Sequence, residues 1–314
     1  MGKGGSAVDF LYWLESIRNP LLDGIMGAIT YLGDEVFFML IALFVFWCRD
    51  KREGYYLLLV GFFGTVLNQF LKLYFRIPRP WVKDPSFHPV ESAKPAAEGY
   101  SFPSGHTQSA TGSFGALARW EKGRLFSCLC ILLLLLTAFS RMYLGVHTPL
   151  DVGVSLLLGA GTVVIFYPLM KKAEAQPRIM YWLIGIMLLF SVAFVLYANL
   201  ADFSQEKATE NIASGRKNSF SLLGSLLGFA IAYPVERKYI RFSEKGSVPA
   251  QLCKLLLGLG GLLGVKEGLE LLFTAMGFLH PWIHAVRYCA VVLFAALLWP
   301  KTFPLWNRLF EKRG

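Results

Sequence analysis

Eight or nine runs of mostly apolar residues, separated by short and often basic connections, recur along the 314-residue chain. They are Leu21–Leu32 continued by Glu35–Trp47, then Tyr55–Leu71, Gly105–Leu117, Leu125–Phe139, Leu150–Met170, Ile179–Leu200, Phe220–Val235, Leu252–Met276 and Trp282–Trp299. A helix needs roughly 20 such residues to cross a bilayer, and inside hydrocarbon its backbone polar groups must bond to one another. The pattern therefore predicts an all-α, polytopic transmembrane helical bundle. Composition agrees, since 55% of residues are apolar and only 17% charged, whereas soluble chains run nearer a quarter charged. A water-soluble enzyme and a disordered chain are both excluded.

The net charge of +10 is explained by Lys and Arg in the connections, so no nucleic-acid partner is expected. Alternate connections differ in their basic content: 17 Lys and Arg on the side that includes Arg49–Glu53 and Lys301–Gly314, 11 on the other. The richer side is expected to be cytoplasmic. The long segment Lys72–Ser104 then faces the non-cytoplasmic side, and its six prolines predict a structured loop. Ala201–Asn218 reads as a second, polar loop. Within residues 1–20, Phe10, Leu11, Leu14 and Ile17 share one side of a helix, an amphipathic pattern expected to lie on the membrane surface. No cleavable leader is expected from Met1–Asn19. The five cysteines read as small apolar side chains.

Three polar clusters stand on the non-cytoplasmic side. Lys72 and Arg79-Pro80 follow the second span. Tyr100-Ser-Phe-Pro-Ser104-Gly105-His106 opens the third, and Ser140-Arg141 with His147 and Asp151 leads into the fifth. The chain crosses the membrane twice between the second and third clusters, so all three can meet. Lys72, Arg79 and Arg141 would then supply three cations suited to phosphate oxygens. Ser104 and Gly105 would open a helix whose N–H groups favour an anion. His106 and His147 can act as nucleophile and proton donor. Asp151, four residues after His147, can fix the tautomer of that imidazole. Such a site holds phosphate and its own nucleophile without a metal. These residue types leave open which histidine attacks.

These motifs, Lys72 with Arg79-Pro80, Pro103-Ser104-Gly105-His106, and Ser140-Arg141 with His147 and Asp151, resemble the type 2 phosphatidic acid phosphatase superfamily, its lipid phosphate phosphatase branch. The resemblance covers roughly residues 8–175. It implies a six-helix catalytic core over residues 21–175, with 176–314 as about three further transmembrane helices. It also implies a metal-independent membrane lipid phosphatase without cofactor, in which His147 forms a phosphohistidine and is oriented by Asp151. His106 would protonate the leaving oxygen, while Lys72, Arg79, Ser104, Gly105 and Arg141 bind the phosphoryl group. A phosphorylated lipid and membrane lipids are the implied partners: polyprenyl mono- or diphosphate, phosphatidate, phosphatidylglycerophosphate or a sphingoid phosphate. A homo-oligomer is as compatible with the sequence as a monomer. The alternatives are a phosphotransferase using the same histidine and a lipid transporter or scramblase with a phosphate-binding site.

Other residues carry plainer expectations. Arg76 reads as an interface anchor, with a diphosphate contact as the alternative. Trp81, Phe87, Tyr100 and Phe102 suit a headgroup interface or a lipid entrance. Gly224 with Gly228, and Gly258, Gly260, Gly261 and Gly264, suggest close helix packing. Lys266, Glu267, Glu270 and Arg287 fall inside apolar spans and are expected to form an ion-pair network, Lys266 sharing a helix face with Glu270 and Glu270 meeting Arg287.

Overall fold

Apolar runs of this length can satisfy their backbone only as helices, and a computed structural model, which describes residues 7–278 and 280–310, contains helices and no strand among those residues. The helices are α1 (Ala7–Ser16), α2 (Pro20–Thr30), α3 (Glu35–Cys48) and α4 (Lys51–Phe75). Then comes α5, in which Gly105–Ala110, a π-helical turn Thr111–Gly115 and Ala116–Trp120 run on without a break. After it follow α6 (Arg124–Tyr143), α7 (Pro149–Ala175), α8 (Arg178–Leu200), α9 (Thr209–Ile240), α10 (Val248–Ala275) and α11 (Ile283–Phe310). Among the described residues seven helices are long and apolar enough to cross a membrane. The pair Pro20–Gly33 and Glu35–Cys48, bent by 49°, is an eighth candidate.

Among the described residues four such helices follow residue 175, one at each of the four apolar runs expected there. The apolar run Phe220–Val235 is short for a crossing. The helix around it begins at Thr209, inside the stretch expected to be a polar loop, and only the part before Thr209 is non-helical. On α6 the leucines at 125, 129, 132 and 135 point outward while Leu134, Thr137, Ala138 and Arg141 are buried. A helix apolar on its outer face fits lipid rather than water.

The chain divides into two units. One comprises the residues up to Ile41, Tyr56–Lys171 and Ser204–Gly215; the other comprises Ala42–Tyr55, Lys172–Phe203 and the residues from Arg216 on.

In the first unit α5 is approached closely by its neighbours. A Cβ on Gly33, in the turn between α2 and α3, would fall 2.6 Å from the His106 carbonyl oxygen, and one on Gly64 of α4 would fall 2.5 Å from Gln108 Nε2. Leu11 and Leu14 of α1 are buried in a cluster with Phe87, Ala93, Ala97, Tyr143, Leu144 and Val146. On the apolar side of α1 these two leucines pack against protein, while Trp13 and Ile17 are exposed. Residues 1–6 of the expected amphipathic segment lie outside the described residues, as do 311–314 of the last connection. The packing also holds the proline-rich loop, because the Tyr12 hydroxyl donates to Asp84 at 2.9 Å and Arg18 Nε donates to the Tyr143 carbonyl at 3.0 Å. Phe87, Tyr100 and Phe102 are thereby buried.

In the second unit the small residues meet one another. Gly224 of α9 lies against the Ala285 backbone of α11, and a Cβ on Gly228 would fall 2.8 Å from the Cys289 carbonyl oxygen. Gly258 and Gly261 face Trp299 and Phe294, whereas Gly260 and Gly264 have nothing within 4 Å. Only half of that glycine cluster is a packing surface. Arg287 pairs with Glu270 as expected, but Lys266 pairs with Glu267, its sequence neighbour, at 2.8 Å rather than with Glu270.

Candidate active site

All three motif clusters lie in the first unit. Helices α5 and α6 form a hairpin that returns the chain to its starting end, so Ser104–His106 at the head of α5 come together with Arg141 in the last turn of α6 and His147 just beyond it. The short connection from α6 to α7 turns at Gly145, whose φ of +75° suits glycine. The Val146 and His147 N–H groups then donate to the Arg141 carbonyl at 3.2 and 3.3 Å. That turn directs the His147 side chain inward, where it is 1% exposed.

Each ring nitrogen of His147 has a defined environment. Arg79 Nη1 stands 3.0 Å from Nε2. A guanidinium can only donate, so Nε2 accepts and the ring proton belongs on Nδ1. Asp151 Oδ2 lies 3.5 Å from Nδ1, and Ser101 Oγ is equally far from it. These are long contacts. The shorter bonds to Asp151 Oδ2 come from the Ser101 hydroxyl at 2.6 Å and the Thr148 N–H at 2.8 Å. Thr148 Oγ1 in turn accepts from the Asp151 N–H at 3.3 Å. Asp151 thus closes a reciprocal cap on α7 and faces His147 from a fixed position.

The three cations converge on the same place. Arg79 is locked by the loop: Nε donates to Gly99 O at 3.1 Å, Nη2 to Glu98 O at 2.6 Å and Nη1 to Val146 O at 3.0 Å. Lys72 Nζ, in the last turn of α4, donates to Tyr100 O at 2.5 Å. Arg141 Nη1 donates to Thr30 Oγ1 at 2.6 Å, while its buried Nε has no hydrogen-bond partner among the described residues. All three side chains are less than a tenth exposed.

Ser104 caps α5, accepting from the Thr107 N–H at 3.3 Å, and its own N–H donates to the Asp151 carbonyl at 3.3 Å. Its hydroxyl proton stays available to a ligand. Gly105 and His106 provide the first N–H groups of the helix, which have no partner within it. His106 is half-buried and near enough to His147 to act on its charge. Burial first, and then Arg79, Arg141, Lys72 and His106, hold the His147 imidazole well below the usual histidine range. The ring is therefore neutral, and the lone pair on Nε2 is the one that accepts from Arg79.

The structure brings all eight expected residues into one cluster, and it adds two. Ser101 sits inside the second motif as a residue with no spacing signal of its own, and its bond to Asp151 spans 50 positions. Thr30 belongs to α2, outside every motif. Arg76 has a φ of +50° just beyond α4, which turns the chain out of the helix towards Arg79.

The chain matches the PAP2 superfamily over residues 52–175. It also matches the PAP2 superfamily phosphatase, transmembrane extension, over residues 220–308. The second match corrects the expectation that the resemblance ends near residue 175. The chain is 32% identical over 145 residues to undecaprenyl-diphosphatase BcrC of Bacillus subtilis (strain 168), covering 46% of this chain and 72% of that protein. It is 31% identical over 153 residues to phosphatidylglycerophosphatase B of the same organism, covering 43% and 69%. To sphingosine-1-phosphate phosphatase 1 of Mus musculus it is 31% identical over 155 residues, 46% of this chain and 34% of that one.

Proposed function

Because the chain belongs to the PAP2 superfamily and is an integral membrane phosphatase acting on phosphate esters, we propose that it hydrolyses the phosphomonoester or diphosphate headgroup of a membrane lipid through a phosphohistidine on His147. Polyprenyl diphosphate and phosphatidylglycerophosphate lead as substrates, after the two relatives that the chain covers by more than two thirds. One observation carries the mechanism: Arg79 donates to His147 Nε2 at 3.0 Å. A phosphoryl group bound by Arg79 lies beside the nitrogen that attacks it.

In the first step the Nε2 lone pair forms a bond to phosphorus and the bond to the leaving oxygen breaks. Burial and then Arg141, Arg79 and Lys72 lower the His106 pKa to about 3 in the free site. The bound phosphate anion offsets those cations, so His106 takes up a proton from solvent and gives that proton to the leaving oxygen. The Nδ1 proton of His147 stays on the ring, faced by Asp151, whose carboxylate offsets the developing imidazolium charge. In the second step water attacks the phosphohistidine and the P–N bond returns its electron pair to Nε2. His106 takes the water's proton, and inorganic phosphate leaves. Lys72, Arg79, Arg141, the Ser104 hydroxyl and the Gly105 N–H stabilise the charge on the equatorial oxygens in both steps. Charge neutralisation that metal ions supply at other phosphoryl-transfer sites falls to these groups. Residues 21–175 would form this catalytic core and 176–314 support it. The excess of Lys and Arg in the opposite connections supports a site on the non-cytoplasmic side.

The test is phosphate release by the full chain in detergent, with chelator present, from polyprenyl mono- and diphosphate, phosphatidylglycerophosphate, phosphatidate and a sphingoid phosphate. Release that His147→Ala lowers by about a thousandfold or more, and that puts ¹⁸O from labelled water into the phosphate, supports the reading. Release that survives His147→Ala, or label that goes to an acceptor other than phosphate, overturns it.

A further inference from the structure

One face of α4 carries Gly64, Asn68 and Lys72 at one-turn intervals. Gly64 lets Gln108 of α5 approach, and Lys72 belongs to the cation cluster. Asn68 lies between them and is 2% exposed. Neither its Nδ2 nor its Oδ1 has a hydrogen-bond partner among the described residues. Its Oδ1 lies 3.8 Å from the position a Cβ on Gly105 would occupy. The carboxamide therefore faces the head of α5, one turn along α4 from Lys72, where glycine presents only backbone.

Buried amides are nearly always bonded, and leaving one unpaired costs free energy comparable to a lost hydrogen bond. Leucine has the same branching and number of heavy atoms as asparagine and would occupy this position without that cost. A carboxamide at this position is explained by a ligand that takes its hydrogen bonds.

The geometry points to Asn68 as a further phosphoryl-binding residue, whose carboxamide, turned so that Nδ2 takes the place of Oδ1 beside Gly105, donates to a non-bridging oxygen of the group held between Lys72 and Gly105. It rests on the reading of the site as a phosphate cradle. It adds a neutral donor on the α4 side, opposite the Arg79 fork, which arrives from the proline-rich loop. An uncharged donor there orients the phosphoryl group without adding to the repulsion among three buried cations.

Two variants of the full chain in detergent test this, with inorganic phosphate as the probe. Asn68→Leu removes both polar atoms while keeping the branching and number of heavy atoms. Phosphate affinity, read from ligand-induced thermal shift and from product inhibition, is expected to weaken roughly tenfold or more, since a hydrogen bond to a charged group is lost. The melting temperature without phosphate should hold or rise. Asn68→Asp keeps the shape but adds a negative charge. Relative to the unsubstituted chain, its phosphate affinity should be poor at neutral pH and recover on acidification, as the carboxyl gains a proton and can donate. Phosphate affinity that is unchanged in both variants overturns the proposal, as does a melting temperature that falls while affinity holds. His147→Ala separates this from the parent reading, because it should abolish turnover and still bind phosphate. If no lipid is hydrolysed by the unsubstituted chain, the parent reading fails, and the phosphate affinity of Asn68→Leu still decides the role of Asn68.

Discussion

Two of the cations that the second unit encloses meet carboxylates, whereas its buried Lys254 donates to the Lys245 carbonyl at 2.8 Å. The Lys51 ammonium lies 2.7 Å from Glu236 Oε1, the other oxygen of that carboxylate accepts from the Tyr55 hydroxyl at 2.9 Å, and buried Arg287 meets Glu270. Where the first unit buries Lys72, Arg79 and Arg141, their partners are carbonyl oxygens, one threonine hydroxyl and an imidazole. Among the described residues none of the three forms an ion pair with a carboxylate. Desolvating an ion costs several kcal/mol, and only an opposite charge in good geometry repays it. In the second unit the protein supplies that charge itself. In the first, the repayment is left to a ligand, and the ligand must be an anion. Carboxylates thus meet Lys51 and Arg287 in the second unit, while none meets Lys72, Arg79 or Arg141 in the first, and on the proposed function that difference marks the cations that await a phosphate.

The sharpest way to break this comparison is to remove one cation from each kind of cluster. Arg79→Ala takes away the donor on His147 Nε2 and is expected to lower kcat/KM by about 10²–10³. Its melting temperature should hold or rise, because three like charges become two. A fall in stability that accounts for the lost activity would show that Arg79 is structural. In the second unit the expectation reverses. Glu236→Gln strands Lys51 and should cost about 3 kcal/mol of stability, read by thermal or denaturant unfolding, while the folded fraction keeps its specific activity.

A smaller effect is expected at Ser101. Ser101→Ala removes the 2.6 Å bond to Asp151 and should lower kcat about tenfold with little change in KM, since a bond to a charged group is lost away from the substrate. An equal loss in both parameters would place Ser101 on the substrate instead.

Ser101 also marks the limit of what the chain's sequence reveals. The motif cations and histidines were legible because their types are costly at a membrane and their spacing, with one hairpin between them, returns them to one end. A serine two positions before a proline has no such signature. Its role depends on Asp151, which only the fold brings near. The same limit governs the helices. Apolar length predicts crossings, yet the polar first turns of α9 hide where that helix begins, so its start at Thr209 reads as loop. The amphipathic pattern of α1 shows that Leu11 and Leu14 need cover. It cannot say whether lipid or Tyr143 and Phe87 provide it.

His147 offers a pH test of the same contrast. Its pKa is lowered in the folded protein, so the unfolded chain binds the extra proton first as pH falls. Stability contributed by the neutral ring is present above the ordinary histidine pKa of about 6.5 and declines as pH drops below it. The melting temperature should therefore fall from pH 7 to pH 5, and the fall should be shallower in His147→Asn. An identical slope in both proteins would mean that the buried ring does not resist protonation.

The smallest expected effect concerns Glu270 and Arg287, because the Glu270 side chain is 48% exposed while that of Arg287 is 4% exposed. Arg287→Glu places two carboxylates together and Glu270→Arg places two guanidinium groups together, so each single reversal should destabilise. The double reversal should recover part of the loss, with a coupling of about 1 kcal/mol in a double-mutant cycle. Recovery will be incomplete, since the swap moves the longer side chain to the exposed position and leaves a glutamate where Arg287 was enclosed. Phosphatase activity per folded molecule should stay constant through all three variants. If the swap rescues nothing, the partner of Arg287 lies elsewhere, and the neighbouring His284, whose Nδ1 is buried without a partner among the described residues, is the next residue to exchange. If instead stability is rescued but activity is not, charge in the tail serves the chemistry. Pairing would then no longer separate supporting charge from working charge.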